Sequence, residues 1–368
     1  MAIAILYSEK LKEYDFGPGH PFRSDRYDIF PEFLEKNLPK QADYQILEAE
    51  PVTDKGLALI CQKDYIDFTK NYFKARNSGR QANGHFSQYH SNDNFPPIRP
   101  GKLEEAARII IGQAKLACDI IQRGRFTKAI SLGGGMHHAK ENYGEGFCLY
   151  NDVAFAGKYL LKEYGLKRVL ILDTDAHCGN GTMRYFYQEP KVLFIDIHQN
   201  PATLYPGTGF VNQIGERKGR GLTINVPLPM FAGNDSYQLV FKEIVEPAAK
   251  EFKPQIIIRN GGSDPHFADE LTQLGLTVKG FEMIGQKVKA IAEICQGKVI
   301  DMIGSGYNKK VLASSWLALI YGLMGLKRKI EEPISVPKRF QKDLSLEETE
   351  KVVAEVKKNL KDYWKCFA

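Results

Sequence analysis

The sequence predicts an α/β domain in which a parallel β-sheet is covered by helices on both faces. Three observations carry this reading. Short apolar runs alternate with longer stretches of helical periodicity over most of the 368 residues, which is the βαβα order that builds parallel sheets. The strand-like runs are continuously apolar rather than alternating, as strands buried on both faces are. Several of them are followed at once by glycine, histidine or aspartate, and ligand-binding groups gather at the carboxyl ends of open α/β sheets.

Taken in order, residues 3–6 read as the first strand and 26–38 as the first helix. A short strand at 45–47 precedes helical patterns at 63–76 and 102–123. Strand 128–132 leads to a helix at 151–164, and strand 169–172, the run Val-Leu-Ile-Leu, leads to an Asp-rich segment. Strands at 192–197 and 223–226, helix 235–252, strand 256–259, helix 277–296, strand 299–303 and helix 308–325 complete the alternation. Residues 77–101, rich in Asn, His and Pro, and 200–220, with Pro-Gly and Gly-rich turns, read as long irregular loops, which in this class rim the active site. From Ser345, Ser-Leu-Glu-Glu reads as a capping box opening an amphipathic helix to about Trp364. The expected organisation is one domain over 1–330, followed by a linker and packed helix over 331–368.

Composition narrows the function classes. A hydrophobic fraction of 43% and a charged fraction of 26% suit an ordinary soluble domain. The net charge of +6 is spread over scattered lysines and small clusters. No basic stripe of the kind nucleic acid needs is visible, so no nucleic-acid partner is expected. The six cysteines are far apart with no Cys-x-x-Cys pair, which argues against a disulfide scaffold and for a reducing, cytoplasmic location. The apolar start at 3–7 is too short for an export signal, and the longest apolar run, 311–326, is too short for a membrane span, so no membrane partner is expected.

The chemistry concentrates after four strands. Asp173-Thr-Asp175-Ala-His177 follows 169–172, and on an extended segment Asp175 and His177, two apart, point the same way. Gly133-Gly-Gly-Met-His137-His138 follows 128–132, Asn260-Gly-Gly-Ser-Asp264 follows 256–259, and Gly304-Ser305-Gly306-Tyr307 follows 299–303. Singly, each reads equally as a turn, a helix start or a packed aromatic. Together, Asp175, His177 and Asp264 suit a three-ligand catalytic metal site with open positions. A histidine of the pair suits proton transfer, and Tyr307 suits an oxyanion donor.

These pieces, with Tyr14-Asp-Phe-Gly-Pro-Gly-His-Pro-Phe-Arg-Ser-Asp-Arg26, Gly146-Phe147-Cys-Leu-Tyr-Asn, Tyr205-Pro-Gly-Thr-Gly and Asn225-Val-Pro-Leu-Pro, occur in an order similar to the zinc-dependent histone deacetylase family. The pattern is close to its bacterial and archaeal acetoin-utilisation and deacetylase-like members. The resemblance runs over roughly residues 14–325. It implies an arginase-deacetylase type α/β fold, with residues 1–330 as a catalytic domain that hydrolyses an acetyl amide on a lysine-like amine. It further implies Asp175, His177 and Asp264 as ligands of Zn²⁺, or of Fe²⁺, which the same donors accept. His137 and His138 become the acid/base pair, oriented by Asp173 and Asn180, and Tyr307 the donor to the carbonyl oxygen. Gly146, Phe147 and Tyr205 wall a substrate tunnel, with Asp93 as the rim acid. Arg26 lines an acetate exit. A structural K⁺ is implied at Asp173, Asp175, His177, Asp196 and Ile197.

Four positions depart from the family's usual residues. Asp196 stands where serine is commoner, and its charge should tighten cation binding. Asn180, being uncharged, should leave the His138 pKa lower than aspartate would. Cys178 stands in place of a second histidine and reads as small buried filler. Ser305 stands where glycine is usual, and reads as a pocket hydroxyl or a packed turn serine. The substrate is an acetylated lysine peptide or a small acetylated amine, including a polyamine, and the oligomeric state is not legible. Two other readings share the residues: a two-manganese ureohydrolase, which needs further bridging Asp and His ligands, and a non-catalytic acyl-amine binder, which predicts a lost ligand or a lost Tyr307.

Overall fold

The structure is a computed structural model that describes residues 3–39, 42–96 and 101–368. Residues 97–100 of the expected loop 77–101 lie outside the described residues. At the centre is one eight-stranded sheet made of β1 (Ile3–Leu6), β2 (Tyr44–Leu47), β3 (Lys128–Leu132), β4 (Val169–Asp173), β5 (Val192–Gln199), β6 (Thr223–Leu228), β7 (Ile256–Asn260) and β8 (Val299–Ile303). Every neighbouring pair is parallel, in the order β2-β1-β3-β8-β7-β4-β5-β6.

The central strands are buried on both faces, so alternate residues feed two separate apolar clusters. Ile171, Phe194, Ile258 and Met302 pack with helices Leu103–Gln122 and Asp152–Glu163 on one side. Leu172, Ile195 and Ile303 pack with helices Val278–Ala292 and Lys309–Met324 on the other. The last of these carries the apolar run noted in the sequence, and it is buried nearly all round. No helix among the described residues is long and apolar enough to cross a membrane. Between β7 and β8, cross-strand neighbours Arg259 and Asp301 form an ion pair at 2.5 Å, both fully buried.

Three local expectations change. The helical stretch 235–252 contains a π-helical turn at Phe241–Val245. It sits just before Pro247, which has no N–H to give to the carbonyl four residues back. A seven-residue helix, Asn180–Phe186, was not expected, because a run that short has no readable period. At the C-terminal helix, Leu346–Leu360, Ser345 does not close a capping box. Its hydroxyl instead donates to Met230 O at 2.8 Å, a tertiary bond that outcompetes the local one. This helix lies on β6, burying Val353, Val356 and Leu360, and Trp364 beyond it donates from Nε1 to Gly221 O at 2.7 Å.

Register brings the chemistry into one row. Leu132 pairs with Ile303, Asn260 with both Met302 and Asp173, and Asp173 with Asp196. The carboxyl ends of β3, β8, β7, β4 and β5, five consecutive neighbours, therefore stand side by side at one edge.

Candidate active site

Asp175 and His177 lie in a bend beyond β4, so an extended strand is not what aligns them. Two short side-chain turns do so. Asp173 Oδ1 accepts from Asp175 N at 3.1 Å, and Asp175 Oδ1 accepts from His177 N at 2.9 Å. His177 Nδ1 then sits 3.1 Å from Asp175 Oδ1 and 3.0 Å from Asp264 Oδ2, with all three residues buried. Burial, then the charge of Asp175, pushes Asp264 up to about 8. Burial opposes charging of His177, but Asp175 and Asp264 overcome it and raise the imidazole to about 10. Two carboxylates crowded on one imidazole hold a proton where a divalent cation would bind through the same atoms, so the donor set fits a metal.

The histidine pair is set by its outer nitrogens. His137 Nδ1 lies 2.9 Å from Asp173 Oδ2, and His138 Nδ1 lies 2.8 Å from Asn180 Oδ1. The inner nitrogens, both Nε2, face each other at 3.1 Å. Burial disfavours charge on both rings. Asp173 and Asp175 reverse this for His137, which rises to about 9. His138 falls well below its ordinary value because burial and the positive His137 and His177 act together, with the Asn180 bond only partly offsetting them. Burial is the largest cause of the fall, and the Asn180 bond acts in the opposite direction. His137 therefore favours its charged form and His138 its neutral form, the split that acid/base work requires.

Two residues that the sequence reading missed fix this arrangement. Glu145 Oε1 accepts from Asn180 Nδ2 at 2.7 Å. A carboxylate only accepts, so the amide must turn its oxygen toward His138, and His138 must carry its hydrogen on Nδ1. Asn260 Nδ2 donates to both oxygens of Asp173 at 3.0 Å. Glu145 stands directly before the Gly146-Phe147 motif and Asn260 opens the Asp264 segment, but neither has a spacing that announces a role.

Tyr307 packs edge-on to Phe147 and to His177, with ring centroids 5.9 and 6.3 Å away, and its phenol is held protonated by burial and by Asp264 and Asp175. Its backbone N–H donates to Asp269 Oδ2 at 2.8 Å. Ser305 is more than a turn serine: its hydroxyl donates to Asp264 Oδ1 at 2.7 Å, on the carboxylate oxygen away from His177. His137, His138, Asp175, His177, Gly146, Phe147, Ser305 and Tyr307 all line one cavity of only about 20 Å³. Larger grooves, such as one of about 710 Å³ bordered by Lys158 and Arg184, hold no comparable set of groups. Gly146 is required at the wall, since a Cβ there would lie 2.3 Å from the His138 ring and its φ is +58°.

Tyr205 does not line that cavity. It stands at the mouth, 43% exposed, edge-on to His138 with centroids 5.1 Å apart. Asp93 is half-buried and already engaged, one oxygen accepting from Gly146 N at 3.0 Å and the other paired with Ser91. Arg26 is buried behind the site, donating to Gly304 O at 2.6 Å, with Tyr307 on one side at 5.8 Å and a second cavity of about 530 Å³ on the other. Asp196 Oδ2 accepts from Gly179 N at 2.9 Å, whereas the Ile197 side chain faces the core. Among the described residues, the one other metal-type cluster, Cys178, Asp196 and His198, shares no ligand with the first. A bridged two-metal ureohydrolase site finds no support in it.

The histone deacetylase domain model matches residues 20–323 of the chain. The acetoin utilization protein AcuC of Staphylococcus aureus (strain MSSA476) is 36% identical over 333 residues, covering 90% of this chain and 82% of that protein. A probable deacetylase of Archaeoglobus fulgidus is 31% identical over 377 residues, covering 100% of both. Among solved structures, the crystal structure of the HDA15 HD domain matches with a TM-score of 0.82 and 26% identity, covering 100% of this chain and 97% of that one.

Proposed function

The chain belongs to the histone deacetylase family, with its arginase-deacetylase type fold, and from that premise we propose how its residues hydrolyse an acetylated lysine-like amine. The chain is a metal-dependent deacetylase, a hydrolase of acetylated amines. The observation that carries the finer reading is the convergence of Asp175, His177 and Asp264 beneath a histidine pair split in protonation.

Zinc is the proposed metal at those three residues, and iron(II) is compatible with the same donors. When bound, it supplies Lewis acidity toward the amide carbonyl and makes a water molecule easier to deprotonate. His138 takes that proton at Nε2, and its Nδ1–H stays bonded to Asn180 as the ring becomes charged. His137, held protonated by Asp173, stabilises the negative charge that develops, and the pair returns a proton to the leaving amine nitrogen, giving acetate and free amine. The Tyr307 hydroxyl donates to the carbonyl oxygen as it gains charge. Phe147, Gly146 and Tyr205 flank the amine stem, Ser305 lies beside the acyl end, and Asp93 acts at the rim. Arg26 guides acetate toward the cavity behind Tyr307.

Potassium is proposed around Asp173, Asp175, His177, Asp196 and Ile197. Titrating it against melting temperature tests this, and a smaller effect in wild type than in Asp196→Ser rejects tighter binding through Asp196. The main domain spans 1–330 and the helix of 331–368 is an addition packed on it. All six cysteines carry free thiols, which supports a reducing, cytoplasmic setting.

The deciding experiment is a screen of acetyl-lysine peptides, small acetylated amines and acetylated polyamines with the metal-loaded protein. It separates protein from small-molecule substrates, and Tyr307→Phe is the control. A loss of about 10²- to 10³-fold in kcat is expected for that variant. A full rate would show that Tyr307 is not the oxyanion donor.

A further inference from the structure

Across the segment that follows β4 from the catalytic cavity lies a second set of ligand-type side chains, closed from solvent. Cys178, Asp196 and His198 are 1%, 0% and 0% exposed, and one ligand atom from each lies within 4.8 Å of the others. Asp196 and His198 are two apart on β5 and share its face. Cys178 reaches them from the segment after β4.

The hydrogen bonding in this set is incomplete. His198 Nε2 lies 3.0 Å from Gly209 O. A carbonyl oxygen only accepts, so Nε2 carries a hydrogen there and Nδ1 is the ring nitrogen left facing the set. His198 Nδ1 is 3.0 Å from Asp196 Oδ1, yet neither atom has a hydrogen-bond partner. Buried polar atoms left without a partner are costly, and a cation bound between these two would satisfy both.

We propose that Cys178, Asp196 and His198 form a second metal site, for a zinc-class divalent cation, that ties the segment after β4 to β5 beneath the loop of Gly209. A sulfur, an oxygen and a nitrogen donor are a zinc-type set. On binding, the Cys178 thiol releases its proton to solvent. Thiolate and carboxylate then cancel the cation's two charges, which suits a site with no exposure. Donor atoms on one zinc lie ~3–4 Å apart, so small side-chain rotations close the set.

Gly209 is what allows the loop to reach the trio. A Cβ there would meet Cys178 Sγ and His198 Nε2, both at 2.6 Å, and its φ is +100°. The same loop carries Tyr205, which stands over His138. Asp196 also belongs to the proposed potassium set, but sulfur separates the two, since alkali cations do not take thiolate ligands.

The test uses the full chain stripped of metal by chelator and reloaded with Co²⁺. The catalytic ligands Asp175, His177 and Asp264 contain no sulfur, so an ultraviolet thiolate-to-cobalt band reports the second site alone. Wild type is expected to take up two cobalt ions per chain and to show the band. Cys178→Ser should take up one, lose the band and keep the visible absorption of the catalytic site. His198→Gln provides a second, independent variant should Cys178→Ser fold poorly, and should also weaken the band. One cobalt per chain with visible absorption but no thiolate band in wild type overturns the proposal. A band that survives Cys178→Ser does so too. Neither result touches the catalytic metal, whose failure would appear as loss of the visible absorption in Cys178→Ser.

Discussion

The Ser305 hydroxyl should control how tightly the catalytic metal is held. It donates 2.7 Å to Asp264 Oδ1, leaving Oδ2 facing His177 Nδ1 at 3.0 Å. The bond orients the carboxylate and favours its charged form, the form that binds a cation. Ser305 is otherwise pinned through its backbone, since its carbonyl accepts from Trp316 Nε1 at 3.0 Å and from Ser263 N at 2.9 Å. Ser305→Ala therefore removes the hydroxyl and leaves the loop in place. A hydrogen bond to a charged group contributes about 1.5–3 kcal/mol. At about 1.4 kcal/mol per factor of ten, zinc affinity should fall roughly 10- to 100-fold, the range seen when groups supporting a ligand are lost. Competition against a chromophoric chelator measures it directly. Ser305→Ala binding zinc as tightly as wild type would refute the reasoning, and a tighter site would reverse its sign.

Three further outcomes follow from the geometry. Asn180→Asp places a carboxylate on His138 Nδ1, so the His138 pKa should rise by ~1–3 units and carry the acid limb of kcat/KM upward with it; a limb that stays put or moves down contradicts the assignment of His138 as base. In the metal-free protein His177 is raised to about 10 and Asp264 to about 8, so both sites favour protons near neutrality and metal entry expels at least one. Apparent zinc affinity should therefore weaken on acidification by roughly tenfold per pH unit for each proton released, and calorimetry showing affinity flat between about pH 6 and pH 8 would count against it. Asp301→Ala leaves Arg259 charged and unpaired in the sheet, which should cost about 3–5 kcal/mol in urea unfolding; a cost below about 1 kcal/mol would mean that water reaches the guanidinium.

The sheet was legible because its strands are buried on both faces, which leaves runs such as Val169-Leu-Ile-Leu172 with no polar interruption. The row of strand ends was legible for the same reason, since each run stops where the polar groups begin. What could not be read was anything set by register or by a partner distant in sequence. Ser305 meets Asp264 because their segments follow adjacent strands, β8 and β7, and no local spacing encodes that. Glu145 acts through Asn180, and one glutamate in a loop resembles any other. Cys178 is buried, as its sequence context suggested, but its approach to Asp196 and His198 could not be read because they come from the next strand. Ser345 was misread in the opposite direction: its local motif was complete, but Met230 offered its hydroxyl a better-placed acceptor.

His177 and Asp264 are 87 positions apart in the chain, and they meet only once β7 has been inserted beside β4. No partly formed chain that lacks this insertion can present the complete donor set. A cation that recognises only the closed sheet draws the folding equilibrium toward it, by about 4 kcal/mol when free metal exceeds its dissociation constant a thousandfold. Metal uptake during refolding thus marks the moment at which β7 is seated beside β4. The metal-free protein is then a less stable molecule as well as an inactive one, and the apo chain is the form on which unfolding and proteolysis should act first.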